Sequence, residues 1–142
     1  MKTFIEIGTC DFDTCQKLAD NGWQGIMIEP NPQAFKNMNR VMEDYDNVIT
    51  LQYAISDYEG MIELGVSKQD YPDKSVRGMS SIVSDNHKGG KIFEYESWSK
   101  EEYLDKVIEV PCTRLDTLIY ENGITNIDFL KIDVEGHEMN II

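Results

Sequence analysis

Short apolar runs of strand length, set between helix start and stop signals, constrain this chain more than any other feature. "TFIEIG" (3–8) is rich in β-branched residues and stops at Gly8. "GIMIEP" (25–30), "NVITLQYAIS" (47–56) and "NIDFLKID" (126–133) follow the same form. Runs this short, closed by Gly, Pro or an acid, predict buried strands. Between them lie helix signals. Asp13 has the place of an N-cap with Gln16 as its capping-box partner, and Cys15, Leu18 and Ala19 share one face. Asn21-Gly22 closes that helix. Asn31 caps the next, Pro32 takes its first position, and Phe35, Met38, Met42 and Tyr45 form its apolar stripe. Strands separated by helices predict βαβ units, a parallel sheet and right-handed crossovers, an α/β fold.

The remainder is less regular. "EGMIELGVS" (59–67) predicts an additional strand, and "VIEVPCTRL" (107–115) another. "LDTLIYENG" (115–123) predicts a helix closed by Asn122-Gly123, and "VEGHEMNII" the first turn of a further helix. Residues 68–106 are polar and long for a structureless loop, so they are expected to form a lid with a short helix in its second part. Its aromatic residues Phe93, Tyr95, Trp98 and Tyr103 either pack on a sugar or aromatic ligand or cover the sheet. The 142 residues suit a single domain, 1–142.

Charge narrows the partners. Thirteen Lys and Arg face twenty-six Asp and Glu, a net charge of −13 with no basic cluster. Phosphate backbones need concentrated cations, so nucleic acid is not an expected partner. A cationic or neutral small molecule suits this field better. No apolar stretch reaches the ~20 residues of a membrane helix, and "MKTFIEIG" is too short and acidic for a signal peptide, so no membrane association and a cytoplasmic location are expected. Cys10, Cys15 and Cys112 are odd in number and include no C-x-x-C pair, which argues against a disulfide framework or structural zinc.

Three stretches carry candidate chemistry. Glu6, Gly8, Cys10 and Phe12 fall on the spacing of a dinucleotide turn in which Gly8 alone keeps its glycine. A nucleotide turn and an ordinary strand-to-loop connection both fit. Glu29 ends the second strand 21 residues after Gly8, near the distance at which such folds hold a ribose with an acid. The alternative is a solvated acid at a strand end. Asp133, Glu135, His137 and Glu138 crowd the end of the last strand. They fit a ligand site at a strand's carboxyl end, or two acids at a helix N-terminus beside an exposed histidine. A metal centre is the less favoured reading of this group.

Taken in order, "FIEIGTCDFDT", "IMIEPNPQAFKNM", "VITLQYAISDYEG", "GMSSIV", "VPCTRLDTLI" and "IDFLKIDVEGHE" resemble the FkbM-type methyltransferase family over nearly the whole chain. The resemblance implies the Rossmann-like three-layer αβα sandwich, with a mostly parallel sheet, of class I S-adenosylmethionine-dependent methyltransferases. It implies that Glu6, Gly8, Thr9 and Cys10 form the turn around the methionine part of the cofactor. Glu29 with Pro30 would hold the ribose, and Gln52, Tyr53 and Ala54 would border the adenine. Asp133 would stand beside the reactive methyl, with Glu135 toward the substrate. Ser80 and Ser81 match a serine pair near the pocket and are expected to bind substrate. The implied activity is methylation of a hydroxyl on a small molecule or sugar, with Asp133, Glu135 or His137 as the base; spacing does not choose among the three. The alternatives are a non-catalytic cofactor-binding or assembly module and an NAD-dependent oxidoreductase, the latter opposed by Cys10 and Phe12. Family members continue past the "VEG" motif to complete a seven-stranded sheet, so this chain is expected to lack the C-terminal strands. A homodimer through an exposed sheet edge, or marginal stability, is expected in consequence.

Overall fold

The computed structural model describes residues 1–9, 15–67, 80–82, 104–135 and 137–142. The Asp13 cap, Cys10, Phe12, most of the expected lid and its four aromatic residues lie outside the described residues. In chain order the elements are β1 (Thr3–Ile7), α1 (Gln16–Asp20), β2 (Gln24–Ile28), α2 (Pro32–Met42), β3 (Val48–Leu51) and β4 (Ala54–Ser56). They continue with β5 (Gly60–Ser67), β6 (Ser81–Ile82), β7 (Leu104–Arg114), α3 (Leu115–Glu121), β8 (Phe129–Ile132) and a 3-10 turn (Glu138–Asn140). That turn stands where the sequence predicts the start of a helix.

Two four-stranded sheets result. The first has the order β3-β2-β1-β8 and is parallel throughout, as in a Rossmann-like fold. The second has the order β4-β7-β5-β6, with β4 parallel to β7 and the remaining pairs antiparallel. The run 47–56 is therefore not one strand. β3 loses its partner where β2 ends, since the Ile28–Leu51 pair is the last of that register and Pro30 follows two residues later. After Gln52 and Tyr53 the chain crosses to the second sheet and pairs with β7.

Alternation along the strands builds three layers. Phe4 of β1 and Met27 of β2 pack with Cys15 and Ala19 by α1 and with Met38 and Met42 of α2. Ile5, Ile7, Ile26 and Ile28 point the other way, onto Ile55, Leu118 of α3 and Ile141. The helix ends follow the sequence signals. The Asn31 side chain accepts the Gln33 N–H at 3.0 Å with Pro32 next to it. Asn21-Gly22 and Asn122-Gly123 close α1 and α3 with the paired backbone bonds of a Schellman motif, Gly22 to Ala19 with Trp23 to Leu18, and Gly123 to Tyr120 with Ile124 to Ile119. Among the described residues no helix is long and apolar enough to cross a membrane.

Gly25 shows how tightly the first layer closes. A Cβ there would lie 2.0 Å from Cζ of Phe4. Phe4 is wholly buried and has nowhere to retreat. Gly25→Ala is expected to lower stability by about 1–3 kcal/mol, read by urea unfolding. Added to Phe4→Leu it should cost less than the sum of the two single changes; additive losses would place the strain elsewhere.

Candidate active site

The first sheet creates the site by its topology. From β1 the chain moves to β2 on one side, and it returns to β8 on the other. Ligands of open α/β sheets bind outside the carboxyl ends of strands at such a switch point. Here β1 and β8 meet closely. Asp133 N–H donates to the Ile7 carbonyl at 3.0 Å, and Gly8 N–H donates to Ile28 at 2.9 Å. Gly8 has φ 79°, and a Cβ on it would lie 1.9 Å from the Asp133 carbonyl oxygen. Only glycine fits that turn.

An open cleft begins at this contact. One wall comes from the strand ends of the first sheet: Gly8, Glu29 to Asn31, and Asp133 to Glu135. The other comes from the second sheet: Tyr53, Ala54, Ile55, Leu64 and Ser80. Glu29 is buried on the wall, with one carboxylate oxygen accepting the Asn31 N–H at 2.8 Å. Asp133 is exposed at the mouth, its carboxylate 3.9 Å from Lys131 Nζ. An acid wall facing an apolar one can hold a ligand that is cationic at one end and apolar or aromatic along its length.

Residues 6–142 match the Methyltransferase FkbM domain. The chain belongs to that family. It is also 32% identical over 120 residues to "2-O-methyltransferase NoeI" of Sinorhizobium fredii (strain NBRC 101917 / NGR234). That alignment takes in 84% of this chain and 46% of NoeI, so the chain spans about half the length of the curated relative it matches. No solved structure matches.

The residues that the FkbM resemblance singles out divide into two groups. Gly8, Glu29, Pro30, Tyr53, Ala54, Ser80, Asp133 and Glu135 come together on the cleft. Glu6, Thr9, Gln52 and His137 do not line it. Glu6 is wholly buried, with one carboxylate oxygen 2.9 Å from Lys131 Nζ and the other accepting the Cys15 N–H at 3.2 Å. Its carboxylate is engaged inside the sheet layer and does not face the cleft, where the resemblance would put it. Thr9 is buried with its amide and hydroxyl both 3.5 Å from the Ile28 carbonyl. His137 is neither exposed nor on the cleft; it is buried with Nε2 3.0 Å from Ser56 Oγ. His137 is thus enclosed between the terminal turn and β4, whereas Asp133 and Glu135 line the cleft. Cys10 lies outside the described residues, and Ser81 is described only as a position in β6. Among the described residues no group of three or more His, Cys, Asp and Glu comes together to hold a metal.

Two participants were not singled out from the sequence. Lys131 is the strand-register partner of Glu6; a lysine inside an apolar run, like the glutamate inside another, was the available signal. Asn31 lines the cleft as well as capping α2, and its capping pattern hid the second task. Cys15, buried beside Glu6, has its thiol pushed up to about 12 and stays protonated at neutral pH.

Glu135 is the strained member of the site. It is a non-glycine residue with φ 56°, and such backbone strain concentrates at functional positions. Glu138 helps hold the turn, since its carboxylate accepts the Val134 N–H at 3.0 Å. Burial first, then the Asp133 and Glu138 charges, raise the Glu135 acid above its ordinary 4.5. The folded chain thus keeps a proton that the unfolded chain has already lost. The linked stability is complete below 4.5 and is lost as pH rises through the folded value. Glu135→Gln is therefore expected to be more stable than wild type at neutral pH, with the advantage fading below about pH 4.5. Glu135→Gly should keep a further gain of about 1 kcal/mol at either pH by releasing the left-handed backbone. Urea unfolding at both pH values reads the two effects; equal stability of the two variants would mean that the backbone carries no strain.

Proposed function

We propose that this domain binds S-adenosylmethionine in the switch-point cleft and methylates a hydroxyl of a small molecule or sugar. The observation that carries this reading is the juxtaposition, in one cleft, of the Gly8 turn, the Glu29 carboxylate and the Asp133–Glu135 acids. Each suits one part of such a ligand. The Gly8 turn packs directly on the Asp133 carbonyl, where a side chain would clash, and so brings the ends of β1 and β8 together at the start of the cleft. Glu29 can accept from two ribose hydroxyls. Tyr53, Ala54, Ile55 and Leu64 offer an apolar wall to an adenine ring. Family membership supports methyl transfer, and the relative's name, a 2-O-methyltransferase, supports oxygen as the acceptor atom.

Gly8, Glu29 and the apolar wall would hold the cofactor, which would supply an electrophilic methyl group on a positively charged sulfur. The chain's part is to orient and to manage charge. Asp133 and Glu135 would give the cleft a negative side that suits a positively charged ligand. Holding nucleophile and methyl in near-attack geometry supplies much of the rate. Glu135, with its raised pKa and its place on the wall, takes the hydroxyl proton as it leaves.

Isothermal titration with S-adenosylhomocysteine tests the reading. A single-site heat is expected from wild type, with affinity about tenfold weaker in Glu29→Gln, and no heat is expected with NAD. Folded protein that gives no heat with S-adenosylhomocysteine would overturn the proposal. Heat with NAD alone would put an oxidoreductase in its place.

A further inference from the structure

The second sheet meets the first across the cleft, and one polar contact joins them beside Glu29. Asn31 Nδ2 donates to Ser80 Oγ at 3.2 Å. The backbone N–H of Ser67, the last residue of β5, also donates to Ser80 Oγ at 3.2 Å. The Ser67 hydroxyl lies 3.3 Å from the same oxygen. A hydroxyl has two lone pairs and one proton. The two N–H groups fill the lone pairs of Ser80, so its proton goes to Ser67 Oγ. All three hydrogen-bonding positions of Ser80 are spent within the protein.

Asn31 is committed in the same way. Its backbone N–H holds Glu29, its side-chain oxygen holds the Gln33 N–H that starts α2, and its side-chain nitrogen reaches Ser80. It is 4% exposed, so a lost partner leaves a buried donor without water. On the other side of the contact, β6 is a two-residue strand paired to β5 at the margin of the second sheet. Ser80, the residue before β6, is tied to the Glu29 side of the cleft by this bond.

We infer that Asn31 and Ser80 form a clasp that sets the geometry of the ribose-binding carboxylate Glu29, and that Ser80 is a positioning residue of the cofactor site instead of a ligand for the methyl acceptor. This rests on the cleft being the S-adenosylmethionine site. Loss of the Ser80 hydroxyl releases the Asn31 amide. The Asn31 backbone that orients Glu29 then loses one of its anchors, and the wall carrying Leu64 and Ser80 loses its tie to the acid side. The consequence is read in cofactor affinity, and it depends on the ribose hydroxyls.

The test is titration of S-adenosylhomocysteine and its 2′,3′-dideoxy analogue into wild type, Ser80→Ala, Asn31→Ser, the double variant and Ser80→Thr. Asn31→Ser keeps a capping hydroxyl for α2 but is too short to reach Ser80, so it tests the clasp even where Ser80→Ala loosens the β5–β6 pair. Each single variant is expected to weaken S-adenosylhomocysteine roughly tenfold. The double variant should be no weaker than either. Ser80→Thr, which keeps the hydroxyl, should bind as wild type does. The dideoxy analogue should bind wild type and variants alike. Unchanged affinity in Ser80→Ala and Asn31→Ser, or an equal loss with the dideoxy analogue, overturns the clasp and leaves the cofactor reading standing. Wild type that takes up no S-adenosylhomocysteine overturns the cofactor reading and the clasp with it.

Discussion

The rest of the structure depends on the buried charge of Glu6. A carboxylate with no exposed surface in the middle of β1 is tolerable only where its charge is met. Lys131 meets it from β8, and the Cys15 N–H meets its other oxygen from the entry to α1. One side chain thus ties the two strands whose ends make the switch point to the helix that follows the glycine turn. Removing one partner of such a pair costs about 3–5 kcal/mol, because the other charge is left buried. The ion pair favours this pairing of β8 with β1, in which Glu6 and Lys131 are register partners, since a slip of one residue would turn Lys131 to the opposite face. Gly8 and Asp133 come into backbone contact as a consequence.

The cleft belongs to two sheets. The parallel sheet supplies the acids and the glycine turn, and the mixed sheet supplies the apolar wall. The chain passes from one to the other at Gln52 and Tyr53, where β3 runs out of partner. Polar contacts that link the two sides include Asn31 to Ser80 beside Glu29, and His137 to Ser56 behind the terminal turn. His137 was a candidate base while only its neighbours in sequence were known. In the folded chain it acts as a joint between the turn that follows β8 and the first strand to enter the second sheet.

What could be read before folding was local. The strand boundaries at 3–8 and 25–30, the Asn31-Pro32 start and the two Asn-Gly helix ends are decided by nearby residues, and they appear where the signals stand. The run 47–56 misled because its apolar character is continuous while its partners are not. Ile55 and Ala54 are as buried as any strand residue, in two different clusters. The break is set by where β2 ends, which a reading of 47–56 alone does not contain.

By itself the sequence determined the alternation of strand and helix, the glycine at position 8 and the presence of acids at the ends of β2 and β8. It also carried the family, through motifs that survive at fixed spacing. Only the tertiary structure decided which acids serve the cleft. Glu6, Glu29 and Asp133 look alike as acids in or after short apolar runs. Glu6 lies within β1 with Lys131 beside it, whereas Glu29 and Asp133 lie one residue past their strands and line the cleft, Glu29 buried and Asp133 exposed. Burial and charge pairing depend on strand order and register, which are long-range properties. For that reason the chemistry of these three carboxylates differs although their local sequence does not reveal it.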